Sequence, residues 1–259
     1  MIAMTEGEIL KKLSTKSFGK NLLLLDSVDS TNERLRMMAE NGAPEGTLVI
    51  AEEQTSGRGR RGHRWMSQKG KNLTFSVLLR PDMTKTHPGV FPLLAGVAIA
   101  ESIGEQTGQR ADCKWPNDVL IDGKKVCGIL CESVIAEGRP VAIVVGIGIN
   151  VNQREFPTEL ASSAASLSNG QDLDRTPLLC RVVRQLEEWY ERAINGKSND
   201  LLQRWISLSS MMGKNVVVDQ DGLQFTGSAT GILDDGALVL QKNGSEVAVR
   251  SGSIVSVTE

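Results

Sequence analysis

The sequence predicts an α+β protein, in which a mixed sheet carries several helices and is followed by a small β-barrel. In the main body, helical patterns alternate irregularly with strand-like runs and hairpins, which does not fit a regular βαβ array. After residue 208, short apolar alternations are separated by Asp-Gly and Asn-Gly pairs, which are typical of tight hairpin turns. We therefore predict a main domain over residues 1–208 and a second domain over residues 209–259, with the size of an SH3-like barrel.

The composition is that of an ordinary globular protein. Of the 259 residues, 40% are apolar and 23% are charged, and the formal net charge of -2 disfavours a general nucleic-acid binder. The four cysteines form no C-x-x-C pair and lie far from the two histidines, which predicts reduced thiols rather than a zinc site. The sequence shows neither a signal peptide nor an apolar run of membrane-spanning length, so we expect a cytoplasmic protein.

The first part of the chain predicts three strands, one helix and a long loop. Ser30 and Glu33 have the spacing of a capping box, in which the Ser30 hydroxyl accepts a hydrogen bond from the Glu33 backbone N–H. Apolar residues then recur at helical spacing until Gly42, which ends the helix. The predicted strands are Leu22–Leu25, Leu48–Ala51 and Leu73–Leu79, and residues 54–72 form a basic loop without periodicity.

The rest of the main body predicts two helices and four strands. Residues 90–106 form an apolar helix, and Thr176-Pro177 has the pattern of a cap before a second, amphipathic helix. Asp122-Gly123 is a hairpin turn. The strands are residues 113–115, 119–121, 126–131 and 141–147. The last of these is a continuous β-branched run, which is typical of a buried central strand.

Residues 56–65 are the most informative part of the loop. They contain four arginines and one histidine, whose like charges repel, and three glycines that let the backbone approach a ligand closely. Arginine presents forked donors that match carboxylate and phosphate oxygens, and Trp65 offers a ring that lies against a base or seals a pocket. The segment therefore predicts a loop that is mobile until it closes over an anionic ligand.

Four other interpretations of this loop compete. Gly57, Gly59 and Gly62 match a dinucleotide-binding fingerprint, with Asp82 about twenty residues further on, but residues 63–72 lack the helix that this mechanism requires. A phosphate-binding P-loop fails because Gly62 is not followed by lysine and a hydroxyl residue. A nucleic-acid-binding patch would have only this basic loop and few aromatic residues. A solvated charged loop without a role also stays open.

Three further motifs have features of a binding site. Residues 114–118 place Lys114 at the end of a strand before a proline-stiffened turn. This lysine is either a fixed cation at a sheet edge or a surface lysine beside a packed tryptophan. Residues 128–132 and 146–150 have glycines inside apolar strands, which indicate close approach by a ligand or another backbone, or else tight strand packing.

Together these segments resemble biotin–protein ligases in their order and approximate spacing. The resemblance covers essentially residues 20–259, and it implies a catalytic domain related to class II aminoacyl-tRNA synthetases, followed by an SH3-like β-barrel. It also implies an enzyme that uses ATP and Mg²⁺ to convert biotin to biotinyl-5'-AMP and transfers it to a lysine of a biotin carboxyl carrier protein. The matching segments are residues 29–32, 54–65, 114–118, 128–130 and 146–150.

The resemblance also implies roles for individual residues. Lys114 and Arg58 would be catalytic, and Lys114 would hold the biotin carboxylate during adenylation. The residues that would contact biotin are Ser30, Thr31, Asn32, Gln54, Gly57, Arg58, Gly59, Arg60, Lys114, Gly128 and Ile129. Those that would contact the nucleotide are Arg58, Arg60, Trp65, Asn117 and Asn150.

The resemblance leaves part of the function open. The segment before the first strand is too short for the N-terminal DNA-binding domain that some relatives carry, so we expect a monofunctional ligase that binds neither nucleic acid nor membrane. The alternatives are a lipoate–protein ligase and a non-catalytic regulator that binds biotin or nucleic acid. The oligomeric state stays open between monomer and homodimer. Neither metal ligands nor a general base for the lysine attack can be identified.

Overall fold

A seven-stranded sheet forms the centre of the main body in the computed structural model, which describes residues 4–258. Its strands are β1 (Leu22–Leu25), β2 (Leu48–Ala51), β3 (Leu73–Leu79), β4 (Asp112–Lys114), β5 (Asp118–Ile121), β6 (Lys124–Ala136) and β7 (Arg139–Ile149). They lie in the order β1-β2-β3-β7-β6-β5-β4. β1 and β2 run parallel and every other neighbouring pair is antiparallel, so the sheet is mixed, as predicted.

The hairpin of β6 and β7 dominates the sheet. β7 pairs with β6 on one side and with β3 on the other, and residues 142–149 are all buried. A β-branched run suits a strand that is covered on both faces, because branched side chains pack well on a pleated surface. The prediction of a buried central strand over residues 141–147 is therefore confirmed for residues 142–147, whereas Val141 is exposed.

Helices pack on both faces of this sheet. They are α1 (Glu6–Lys12), α2 (Thr31–Glu40), α3 (Val90–Thr107), α4 (Arg175–Ile194) and α5 (Ser198–Ser207). On one face, Leu35 and Ala39 of α2 join an apolar cluster with Val49, Leu78 and Val144 of the strands. The other face carries the larger core, to which α1, α3, α4 and α5 contribute. Of the helices formed by residues 4–258, none combines the length and apolar character needed to cross a membrane.

The ends of two helices show how local sequence sets their bounds. Ser30 caps α2 as predicted, because its hydroxyl accepts from the Glu33 N–H at 3.4 Å. The cap of α4 differs from the prediction. The carboxylate of Asp174 accepts from the Thr176 N–H at 3.0 Å, so α4 begins at Arg175.

Two helices, α1 and α5, were not predicted. They have seven and ten residues, which is too short for an apolar period to stand out in the sequence. In α5, Leu201, Leu202 and Trp205 are buried, so this helix is fixed by packing rather than by a strong local signal.

Five antiparallel strands form a second sheet, the C-terminal sheet. They are β8 (Asn215–Gln220), β9 (Leu223–Ile232), β10 (Leu238–Lys242), β11 (Ser245–Val249) and β12 (Ser253–Thr258), in the order β11-β10-β9-β8-β12. The turns Asp221-Gly222 and Asn243-Gly244 have positive φ at both residues, as tight hairpins require. β12 pairs with β8 and not with β11, so the predicted barrel is an open sheet. The domain boundary after residue 208 stays a prediction.

The C-terminal sheet is joined to the main body by close backbone contacts. The buried indole of Trp115 donates its N–H to the Gly236 carbonyl at 3.1 Å. Gly89, just before α3, lies so close to this turn that a Cβ on Gly89 or Gly236 would overlap backbone atoms of the other segment. The contact between Gly89 and Gly236 leaves no room for a side chain at either position. Together with the Trp115 hydrogen bond, it fixes the sheet against the main body.

Glu187 of α4 anchors the N-terminal segment. Its carboxylate accepts from the backbone N–H groups of Lys16, Ser17 and Phe18 at 2.7, 2.7 and 2.8 Å, and from the Ser17 hydroxyl at 2.9 Å. Burial by itself would raise the pKa of Glu187, but these hydrogen bonds outweigh it and lower the pKa. The stabilisation is thus present above the unfolded pKa and is lost as the pH falls through the folded pKa.

We expect Glu187→Gln to lower the free energy of unfolding by about 1.5–3 kcal/mol near neutral pH, because the amide loses the charge and one acceptor. Urea unfolding followed by circular dichroism measures this. The control is Glu188→Gln, which removes a carboxylate that pairs with Arg184 at 2.9 Å on the surface and should cost less than about 1 kcal/mol. The difference between wild type and Glu187→Gln should shrink in acid. Equal midpoints for the two variants at neutral pH would contradict the anchoring role.

Candidate active site

The candidate site lies on the face of the main sheet that carries α2. A row of directly paired residues crosses this face, with Thr74 on β3, Gly148 on β7, Gly128 on β6 and Asp118 on β5. Directly paired residues point to the same face of a sheet, and all four line one cavity of about 210 Å³. The first turn of α2 and the arginine-rich loop line the rest of it.

One end of the cavity is buried and polar. Thr31 and Asn32, in the first turn of α2, are both buried. The Gln54 Oε1 accepts from the backbone N–H and from the hydroxyl of Thr31, at 2.8 and 3.0 Å. The buried Ser76 hydroxyl lies 2.6 Å from Asn32 Oδ1 and 2.8 Å from Thr31 Oγ1. These bonds fix a set of hydroxyl and amide groups in one orientation.

Glu132 of β6 links this polar end to the arginine-rich loop. Its Oε2 accepts from Asn32 Nδ2 at 2.7 Å and from Arg58 Nη2 at 3.0 Å. Asn32 also donates to the Leu130 carbonyl at 3.2 Å, and Arg58 lies 3.5 Å from a carboxylate oxygen of Glu33. Two carboxylates therefore hold the Arg58 guanidinium beside the cavity.

Trp65 lies over the bare backbone of two paired glycines. Its ring packs against Gly128 and Gly148, and a Cβ on Gly148 would overlap the ring. Gly146 makes room for the Asn32 amide in the same way. Lys125 Nζ lies 5.9 Å from the Trp65 ring centroid, within reach of a cation–π interaction. Because these strand positions are glycines, the side chains of Trp65 and Asn32 can lie directly against the sheet.

Lys125 is the lysine that lines the cavity. Its Nζ lies 2.6 Å from Asp118 Oδ1. The pairing of β5 with β6 shifts register between Val119 and Leu120, and an irregularity of this kind re-aims the side chains next to it. The Lys125 backbone N–H donates to the Ser163 carbonyl at 2.8 Å, so the segment after β7 helps to fix the position.

The remaining arginines of the loop point to different partners. Arg60 Nη1 donates to Asn117 Oδ1 at 3.2 Å and to the Gly252 carbonyl at 3.1 Å. Burial, followed by the neighbouring charge of Arg61, lowers the pKa of Arg60. Arg64 donates to a backbone carbonyl of the same loop at 3.3 Å, and Arg61 reaches the C-terminal sheet. The mutual repulsion expected from the sequence is thus relieved by partners within the protein.

Comparison with known proteins assigns a family to this arrangement. Residues 24–150 match the model of the biotin/lipoate A/B protein ligase family, and residues 212–256 match the biotin protein ligase C terminal domain. The chain is 39% identical over 244 residues to the bifunctional ligase/repressor BirA of Bacillus subtilis, an alignment that covers 93% of this chain and 75% of that protein. The chain belongs to the biotin protein ligase family.

Two further similarities agree with this assignment. The ligase is 34% identical over 247 residues to the biotin–[acetyl-CoA-carboxylase] ligase of Mycobacterium tuberculosis, covering 91% of this chain and 89% of that one. The solved structure of the biotin protein ligase from Aquifex aeolicus, in complex with biotin and ATP, matches with a TM-score of 0.80 at 33% identity, covering 92% and 99% of the two chains. The predicted family, fold class and classification as an enzyme are confirmed.

Most of the residues predicted for the site of this ligase come together around the cavity, although they are scattered over the main body. Their side chains or backbone form its lining, and the sheet, α2 and the basic loop bring them into contact. They are Ser30, Thr31, Asn32, Gln54, Arg58, Gly59, Arg60, Trp65, Asn117, Gly128 and Ile129. Ile129 contributes backbone, because its side chain is buried in the main core on the other face of the sheet.

Lys114 does not line the cavity. It belongs to the same row as Asp118 and Gly128, but it stands on the edge strand β4, two strands away from Gly128. Neighbouring strands are about 4.8 Å apart, which puts the Lys114 backbone about 10 Å from that of Gly128. The expectation that Lys114 is the cation of this cavity is thus corrected, because the sheet places Lys125 there.

Gly57 and Asn150 also lie outside the lining. A Cβ on Gly57 would overlap the Trp65 carbonyl, and the Trp65 N–H donates to the Gly57 carbonyl at 3.0 Å, so Gly57 shapes the loop. Asn150 is buried just after β7. Its backbone N–H donates to Val126 at 2.8 Å and its carbonyl accepts from Leu167 at 3.0 Å. Both positions support the site without facing the cavity.

The dinucleotide interpretation of the loop is wrong. After the glycines, the chain makes a single 3-10 turn, Arg60–Gly62, and His63 then returns to an extended conformation. No α-helix begins among residues 56–72, all of which the structure describes, so the helix N-terminus that such a fingerprint needs does not exist.

Sequence reasoning gave no role to four residues at or behind the cavity, namely Ser76, Asp118, Lys125 and Glu132, although Asp118 and Glu132 lie within motifs that it singled out. Ser76 had a signal, because it and Thr74 alternate with apolar residues along β3 and so share the face that carries the site. Glu132 had a similar signal, because it lies two residues after Leu130 and therefore points to the same face of β6. Lys125 had none, since the register shift that aims it is not visible in the sequence.

We expect Gly148→Ala to displace Trp65, because the added methyl group overlaps the indole ring. Tryptophan emission should shift to the red, and the free energy of unfolding should fall by about 1–3 kcal/mol. The control is Gly231→Ala on β9, where a Cβ meets nothing within 4 Å. Unchanged emission and stability in Gly148→Ala would show that the ring does not rest on this strand in solution.

Proposed function

We propose that this ligase activates biotin with ATP to biotinyl-5'-AMP and then transfers the biotinyl group to a lysine of a biotin carboxyl carrier protein. The observation that carries the proposal is a single cavity that joins a buried polar end to a cationic edge. The relative from Aquifex aeolicus, solved with biotin and ATP, supports the choice of substrates. The relative from Mycobacterium tuberculosis, a biotin–[acetyl-CoA-carboxylase] ligase, supports a carboxylase carrier as the acceptor.

The polar end suits the head of biotin. A ureido ring presents two N–H donors and one carbonyl acceptor, and the lining from Ser30, Thr31, Asn32 and Gln54 offers hydroxyl and amide groups of both kinds. A lipoyl head has a dithiolane ring without strong donors or acceptors. It would offer no hydrogen-bond partner to the remaining donors and acceptors of these groups, which costs binding free energy. The cavity therefore favours biotin over lipoate.

The cationic edge suits the first reaction step. A carboxylate oxygen of biotin attacks the α-phosphorus of ATP, the bond to the β-phosphate breaks, and pyrophosphate leaves. Two anions must approach each other, so fixed positive charge stabilises the transition state. Arg58, Arg60 and Lys125 line the cavity and would supply this charge, and Asn117 and Trp65, which also line it, would contact the nucleotide.

We assign to Lys125 the role first expected for Lys114. Lys125 has its Nζ held by Asp118 at 2.6 Å and packs near the Trp65 ring. This pair keeps the ammonium in the cavity, where it can hold the biotin carboxylate and neutralise charge on the phosphate during adenylation. Arg58 can leave Glu132 for the ligand, because both partners are partly exposed and such pairs are weak.

In the second step, the amine of the carrier lysine attacks the acyl carbon of the mixed anhydride. The carbon–oxygen bond to the phosphate breaks, AMP leaves, and the amine gives up one proton. The cations of the cavity favour the neutral form of an incoming lysine and so raise its nucleophilicity. The closed loop would meanwhile exclude water, which hydrolyses the anhydride.

Mg²⁺ would enter this reaction with the nucleotide. Among residues 4–258, no group of three or more His, Cys, Asp or Glu side chains could hold a metal ion. Mg²⁺ is commonly held by substrate phosphates, water and one or two carboxylates. The residues of this chain therefore fit a metal that is carried by ATP rather than a resident ion.

We expect Lys125→Gln to slow pyrophosphate release in the absence of carrier by about a hundredfold to a thousandfold, as for loss of a preorganised charge at a reacting oxygen. Lys114→Gln is the matched control, since it removes the same charge from the edge strand two strands from Gly128, and it should stay within about twofold of wild type. Circular dichroism confirms that both variants fold. The opposite order of rates would restore Lys114 as the catalytic lysine.

The choice between biotin and lipoate as substrate is tested by modification of a carrier domain. The purified ligase, ATP, Mg²⁺ and an apo biotin-carrier domain are mixed with either biotin or lipoate, and the carrier mass is followed. We expect an ATP-dependent mass increase from biotin and none from lipoate, because only the head of biotin can hydrogen-bond to the groups at the polar end of the cavity. An increase from lipoate alone would overturn the substrate. No increase and no pyrophosphate release would overturn the activity.

A further inference from the structure

The C-terminal sheet touches the arginine-rich loop through charged side chains. The guanidinium of Arg61 lies 3.7 Å from a carboxylate oxygen of Asp219 and 3.5 Å from one of Asp221. Its Nη1 also donates to the backbone carbonyl of Asp219 at 3.4 Å. Arg60 donates to the carbonyl of Gly252, which lies just before β12 of the same sheet, at 3.1 Å. Two consecutive loop residues are thus held by the C-terminal sheet, and Ser253 beside them lines the cavity.

These contacts differ in kind from those that dock the sheet on the main body. At the docking contact, Trp115 is buried and Gly89 meets Gly236 without room for a Cβ. At the loop, the Asp221 side chain is 83% exposed and the ion pairs are long. Long, partly exposed pairs of this type add little to folding stability, but they are easily made and broken. They are therefore suited to a segment that must open and close.

Arg61 has a backbone conformation that reinforces this interpretation. Its φ is 52°, in the left-handed region that an arginine adopts only at a cost in free energy. From this backbone position the Arg61 side chain reaches the two aspartates. Such a conformation persists when surrounding contacts favour it, and Arg61 makes contacts of this kind with Asp219 and Asp221.

We propose that Asp219 and Asp221 are positioning residues that hold the arginine-rich loop closed over the cavity. The C-terminal sheet would then have a part in catalysis, because its acidic turn keeps the loop in place while the adenylate waits for the carrier. The part of this inference that concerns the adenylate rests on the function proposed above. The part that concerns the loop does not.

Trypsin tests the loop directly, since it cleaves after arginine only when the backbone is released. In the double variant D219N/D221N, cleavage within residues 58–64 should be about threefold to tenfold faster than in wild type, as expected from loss of two weak ion pairs. Asparagine tolerates positive φ, so the Asp221-Gly222 turn is kept. The control D234N/E246Q removes the same charge from exposed positions of the same region. Added salt should speed cleavage of wild type towards that of the variant.

Retention of the adenylate is the second readout. With biotin and ATP but no carrier, we expect the first turnover of the D219N/D221N full-length chain to stay within about twofold of wild type, while free biotinyl-AMP appears in solution about threefold to tenfold faster. Faster cleavage without faster release would limit the two aspartates to holding the loop and overturn their part in retention.

Cleavage rates equal to those of D234N/E246Q would overturn the proposal altogether. If wild type forms no adenylate at all, the proposed function fails, and the trypsin comparison still decides whether these aspartates hold the loop. A purely structural role would lower the unfolding midpoint, which both variants should leave unchanged.

Discussion

Bare backbone at three positions of the central β6–β7 hairpin is the constraint on which the site depends. Gly128, Gly146 and Gly148 lie on the face that carries α2, where Val134, Ala142 and Val144 of the same hairpin pack into an apolar cluster with that helix. Because the three glycines have no side chain, Trp65 and Asn32 can lie directly against the strands. The cavity lies beside these two side chains, over the same glycines. The flanking apolar rows on the other face anchor the same hairpin in the main core, so the floor of the site is rigid.

The charges of the site are balanced within the protein. Each arginine of the loop meets carboxylates or carbonyl oxygens, and Lys125 meets Asp118. These partners are mostly half-exposed, so the pairs are weak enough to exchange for an anionic ligand. The buried polar end is different, since its hydroxyl and amide groups are oriented by short internal bonds. The molecule thus combines a fixed polar end with a cationic edge whose ion pairs can exchange partners.

The C-terminal sheet and the main body are joined by contacts of two kinds. The turn at Gly236 is fixed by Trp115 and by backbone packing against Gly89. The turn at Asp221 and the segment at Gly252, just before β12, reach the loop through ion pairs and one hydrogen bond. A rigid attachment at one point gives the sheet a defined position from which its other edge can hold a loop of the main body.

The sequence by itself determined most of the elements and the family. Local signals are strong where they rest on turn chemistry and on continuous apolar runs, as at Asp122-Gly123, Asn243-Gly244 and the central strand. Motifs with unusual composition, such as the arginine-rich loop, marked the polar and cationic residues that surround the cavity. The open form of the C-terminal sheet and the helices α1 and α5 lacked such signals, because strand closure and short amphipathic helices are decided by packing. Only the tertiary structure decided which lysine faces the cavity. Lys114 on β4 and Lys125 on β6 carry the same charge and flank the same strand, β5. Strand order together with one register shift places Lys125 at the cavity and Lys114 at the edge of the sheet.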